Sequence, residues 1–84
     1  MIRKEIQVRI PNDMDTSPIA LLVQTANQFK SAIYLEYEQT RVNAKSIMGM
    51  MSLGVDYEAK VILEVAGEDE DEAIADMEAF LSRR

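Results

Sequence analysis

The chain has 84 residues, 48% of them hydrophobic and 29% charged. A soluble single domain over residues 1–84 is expected, burying only about 60% of its unfolded surface. It has no cysteine and no histidine, which excludes disulfides, thiol nucleophiles, imidazole bases and phosphohistidine chemistry. A net charge of −6 argues against nucleic acid, whose phosphates need Lys and Arg. No apolar run approaches the roughly 18 residues a membrane span requires, and the charged start Met1-Ile2-Arg3-Lys4-Glu5 does not read as a signal peptide. A cytoplasmic protein with a protein or small-molecule partner is expected.

Ile2, Ile6, Val8 and Ile10 alternate with Arg3, Glu5, Gln7 and Arg9, the period-2 pattern of a strand with one wet face. Lys4 alone breaks it. Pro11-Asn12-Asp13 ends the strand. Thr16 or Ser17 then caps a first helix, with Pro18 in its first turn. Ile19, Leu22, Val23 and Ala26 form its apolar stripe, extended by Phe29. A second strand runs near Ala32 to Tyr37, and Arg41 to Ala44 returns after a turn that lacks glycine. Ser46 caps a short helix through Leu53, stopped by Gly54. Ala59, Val61, Leu63 and Val65 line a fourth strand. Gly67 and the acidic run Glu68 to Glu72 open a last helix carrying Ala73, Ile74, Met77, Phe80 and Leu81 at helical spacing, with Arg83-Arg84 closing it. The order β-α-β-β-α-β-α predicts an α+β fold, a largely antiparallel sheet covered by helices on one face. The first and last helices, with their long stripes, are the expected cover.

The short helix has too many apolar residues for one side. At about 100° per residue, Ile47, Met48 and Met51 fall together, and Met50 and Leu53 fall roughly opposite. Either one group faces water as a contact surface, or both are core. Ser46 is likewise either a plain cap or a phosphorylation site, where phosphate would add roughly −1.5 to −2 charge. Lys45 is the neighbouring cation, expected to compensate that charge locally and to join Ile47, Met48 and Met51 in binding a partner. Asn12-Asp13-Met14-Asp15 lacks the spaced oxygen ligands and glycine of a cation loop, and the Glu68 to Glu72 run reads as a solvated helix start. No metal or cofactor is expected.

The run Val42-Asn43-Ala44-Lys45-Ser46-Ile47-Met48-Gly49-Met50-Met51-Ser52-Leu53-Gly54 resembles the regulatory-serine region of the HPr family, the phosphocarrier proteins of the bacterial sugar phosphotransferase system. Leu22 to Asn27, Tyr34 to Tyr37 and Ala66 to Glu70 also fall at family positions, so the resemblance spans nearly the whole chain. It implies an open-faced β-sandwich with a four-stranded antiparallel sheet in the order 1-4-2-3. It implies phosphorylation of Ser46 by the ATP-dependent HPr kinase/phosphorylase, then binding to a LacI-type regulator resembling CcpA in carbon catabolite repression. Ile47, Met48 and Met51 match the family's exposed patch.

The chain departs from the family at the carrier loop. There the family has a histidine before the first helix, followed two residues later by arginine and then proline. Here the loop reads Asp15, Thr16, Ser17 and Pro18. The resemblance is therefore to a branch that lacks the carrier histidine but keeps the serine, as the catabolite-repression HPr proteins (Crh) do. Ser17 also removes an arginine that contributes to the CcpA contact in the family. The resulting expectation is a regulatory protein, not an enzyme. Two alternatives stand beside it: a constitutive binding module in which Ser46 is only a cap, and a carrier using Asp15 as an acyl phosphate. Asp15 could instead cap the first helix or imitate part of a phosphohistidine's charge.

Overall fold

The computed structural model describes residues 1–9, 18–53 and 59–82. Seven elements follow in the expected order: β1 (Ile2–Gln7), α1 (Pro18–Ala26), β2 (Ala32–Tyr37), β3 (Thr40–Asn43), α2 (Ile47–Leu53), β4 (Lys60–Ala66) and α3 (Glu70–Leu81). The four strands make one antiparallel sheet in the order β1-β4-β2-β3, the order the resemblance implies. The helices lie over one face, with α3 against β1 and β4, α1 against α3 and α2, and α2 against β3.

Strand alternation sets the two faces. In β4, Val61, Leu63 and Val65 are buried, while Ile62, Glu64 and Ala66 between them are only partly covered. Leu63 stands opposite Lys4 on one side and Leu35 on the other. This register resolves the break in the first strand's alternation. Lys4 occupies a helix-side position on an edge strand, and its Nζ reaches Glu78 of α3 at 2.8 Å. Its aliphatic stem can lie along the sheet while the ammonium stays wet.

The opposite face is tied by charge. Arg41 stacks 4.0 Å from the Tyr34 ring centroid and bonds Glu64 at 2.6 Å, and Arg3 lies 3.7 Å from both Glu64 and Glu36. The β2–β3 hairpin closes although its turn has no glycine: Tyr37 pairs with Thr40, and Glu38 and Gln39 take positive φ of 51° and 69°. Two left-handed residues are what the twist of a two-residue hairpin demands, and ladder pairing holds them there at a conformational cost.

The core runs under all three helices, with Leu22, Ile33, Leu35, Met50, Leu63 and Met77 among its fully buried side chains. Met50 therefore corrects the expectation that only the first and last helices form the cover. Helix α2 seals the end of the core over β3, because one side of even a two-turn helix can be buried. The caps expected at Thr16 or Ser17, the stop at Gly54 and the terminal Arg83-Arg84 lie outside the described residues.

Candidate functional site

Three local bonds build the turn that presents Ser46. Asn43 ends β3, and its Oδ1 accepts the Lys45 N–H at 2.9 Å, an Asx-turn. The Asn43 carbonyl accepts the Ser46 N–H at 3.0 Å, and the Ala44 N–H bonds the Ile33 carbonyl at 2.8 Å, pinning the turn to the sheet. Ser46 Oγ then accepts the Gly49 N–H at 3.2 Å, an N-cap to the third helical residue. Its carbonyl accepts from Met50 N–H at 3.0 Å and starts the helical ladder. Ser46 is exposed. Its hydroxyl oxygen thus accepts one backbone N–H while the residue stays open to solvent.

Helix α2 separates its apolar residues. Met50 and Leu53 are buried, whereas Ile47, Met48 and Met51 are 40%, 80% and 66% exposed. Of the two arrangements open from the sequence, the structure adopts the split one. Apart from Met1, these three are the exposed large apolar side chains among the described residues. They lie directly after the capped serine.

Lys45, the cation next to the serine in sequence, also has a structural bond. Its Nζ donates to the Phe29 carbonyl at 2.7 Å, so the ammonium ties the turn to the loop after α1. Asn27, missed as a site residue from the sequence, does the same from the other side. Its Nδ2 donates to the Val23 carbonyl at 2.8 Å and to the Lys45 carbonyl at 3.2 Å. An asparagine directly after the last helical residue is a recognisable cap signal, but its second bond depends on the packing of α1 against α2.

The loop that Lys45 holds is clamped from the far side by Asp69. Its carboxylate accepts the Lys30 N–H at 2.8 Å and the Ser31 N–H at 2.9 Å, together with the Ser31 hydroxyl. Chiefly through the Ser31 hydroxyl, then the Lys30 N–H, these bonds hold the Asp69 carboxyl down at about 2. Glu70 is also lowered, by the Gly67 N–H and then the chain's amino group. The first three acids of the run are thus engaged, with Glu68 on Lys30 at 3.1 Å, while Asp71 and Glu72 are exposed. Among the described residues no group of acidic side chains is placed to hold a metal, and no helix is long and apolar enough to cross a membrane. Asp15, Thr16 and Ser17, and with them the Asn12 to Asp15 segment, lie outside the described residues.

Comparison with known proteins gives the geometry a context. The family model described as the PTS HPr component phosphorylation site matches residues 2–83. The HPr-like protein Crh of Bacillus subtilis (strain 168) is 43% identical over 81 residues, covering 96% of this chain and 95% of that protein. Its counterpart in Halalkalibacterium halodurans is 40% identical over 83 residues, covering 99% of each. Among solved structures, the phosphocarrier protein HPr of Bacillus anthracis superposes with a TM-score of 0.89 at 37% identity, over 96% of each chain. Such proteins are carriers and regulators, not enzymes. With the family pattern matching residues 2–83 and the fold superposing on a phosphocarrier HPr over 96% of each chain, this chain belongs to the HPr family.

Proposed function

We propose that the chain is a cytoplasmic HPr-like regulator without phosphohistidine carrier activity, switched by phosphorylation of Ser46 and acting as a protein-binding effector in carbon catabolite regulation. The observation that carries this reading is the exposed, singly bonded Ser46 hydroxyl beside the exposed Ile47, Met48 and Met51. The absence of histidine removes the carrier nucleophile, leaving the serine as the natural phosphate acceptor on this surface. The transfer chemistry belongs to an ATP-dependent HPr kinase/phosphorylase, for which this chain is the substrate.

A phosphoserine here places roughly −1.5 to −2 charge next to an apolar platform. The Lys45 ammonium keeps its charge while donating to the Phe29 carbonyl and offsets part of the phosphate's charge locally, and the partner supplies the rest. An Arg or Lys of a LacI-type regulator resembling CcpA would pair with the phosphate while the methionines fill its apolar contact. Ser17, in place of the family's arginine, weakens that contact on this side, so the phosphate and the α2 face carry most of the recognition.

The test is a pair of incubations followed by intact-mass and peptide analysis. With ATP and the kinase, one phosphate on Ser46, absent in Ser46→Ala, supports the reading. With phosphoenolpyruvate and Enzyme I, no phosphate is expected. A hydroxylamine-sensitive phosphate on Asp15 would make the chain an acyl-phosphate carrier. No phosphate in either reaction would make it a constitutive module whose serine is only a cap.

A further inference from the structure

Three of the chain's six methionines fall within the seven residues of α2. Their surroundings divide sharply: Met48 and Met51 are 80% and 66% exposed, while Met50 between them, like Met77 on α3, is fully buried. Residues three apart share a helix face, so the two exposed thioethers lie together on the platform beside Ser46. In a chain without cysteine, thioethers are the side chains most open to two-electron oxidation, and reactivity follows access.

We propose that Met48 and Met51 are a hydroperoxide-reactive modification site, whose conversion to sulfoxides turns the α2 platform polar and blocks recognition beside Ser46. The second half rests on the docking role proposed above. The sulfur lone pair attacks the terminal oxygen of the hydroperoxide, an S–O bond forms and the O–O bond breaks. Sulfur loses two electrons and the hydroperoxide gains them. The proton of the transferred oxygen passes to the departing hydroxide or alkoxide, giving water or an alcohol. The product carries a strongly accepting oxygen where a partner would bury an apolar chain, and an unpaired polar group in an interface opposes binding. The fold is untouched, because Met50 and Leu53, which seat α2, are enclosed. Sulfoxide reductases with a dithiol donor reverse the change.

The folded protein is treated with hydrogen peroxide and sampled over time by peptide mass analysis, with the Met1 and Met14 peptides followed separately. Oxidation of Met48 and Met51 at least about tenfold faster than Met50 and Met77, with unchanged circular dichroism, is the expected result. Equal rates at buried and exposed methionines would overturn the site. The oxidised protein is then offered to the kinase with ATP. A fall of about tenfold in the rate of Ser46 phosphorylation, restored by the two methionine sulfoxide reductases, is expected; an unchanged rate overturns the blocking role. A Met48→Leu/Met51→Leu variant loses no further rate on peroxide treatment relative to its own untreated rate. If untreated protein takes no phosphate on Ser46, the phosphorylation reading fails by itself, and the oxidation map alone decides whether the pair is the reactive site.

Discussion

Alanine at Met50, Met48 and Met51 in turn makes the same chemical deletion three times within four residues, in three different surroundings. Met50 has no exposed surface and belongs to the core cluster beneath α2. Its truncation loses the transfer free energy of a buried chain and leaves a cavity, about 2–5 kcal/mol in all for a core methionine. A chain of this length is stable by only about 4–13 kcal/mol, so the Met50→Ala loss is a large share of the whole. A loss of about 3 kcal/mol lowers Tm by roughly 12–24 °C in a domain this small. At Met48 and Met51 most of the side chain is already in water, and the same deletion should change stability by less than about 0.5 kcal/mol. Alanine's better helix propensity offsets part of even that. Urea unfolding followed by circular dichroism measures all three. The functional readout runs the other way: Met48→Ala and Met51→Ala should impair partner binding while Met50→Ala acts only by unfolding α2. A destabilisation above about 1.5 kcal/mol at Met48 or Met51, or below about 1 kcal/mol at Met50, would refute the assignment of faces.

Three further outcomes follow from other parts of the structure. Asp69→Asn should weaken the clamp on Lys30 and Ser31 in a pH-dependent way. The folded carboxyl sits at about 2 against an ordinary 3.8, so the wild-type advantage is full above about pH 4 and disappears as pH falls through about 2; urea titrations across that window check it. Gly67→Ala puts a Cβ 2.5 Å from Ser31 Oγ and 2.6 Å from its Cα at a φ of +155°, and the backbone contact cannot turn aside. The variant should lose at least about 2 kcal/mol of unfolding free energy. Gln39→Gly, at a φ of 69° in the hairpin turn, removes left-handed strain worth roughly 1 kcal/mol and should raise the urea midpoint; a lower midpoint would show that the Gln39 side chain matters more than its backbone.

Much of this molecule was legible along the chain. Alternating apolar residues in β1 and β4 and helical stripes in α1 and α3 specify their elements because periods of two and 3.6 are local properties of the backbone. The split of α2 was also written in its spacing. Which half faces water was not, since that depends on where β3 and α1 leave room, and the resemblance to the HPr family supplied the choice before the fold did. Three features lay beyond one-dimensional reading for the same reason. Lys4 broke its strand's pattern until Glu78 of α3 was brought beside it. Lys45 stood next to Ser46 in sequence, yet folding turned its ammonium to Phe29, sixteen residues earlier. Asp69 read as one acid in a solvated run, but it closes a loop some forty residues away. Periodicity reports which face a side chain takes within its own element; its bonding partner is chosen by packing between elements, and no local pattern encodes that.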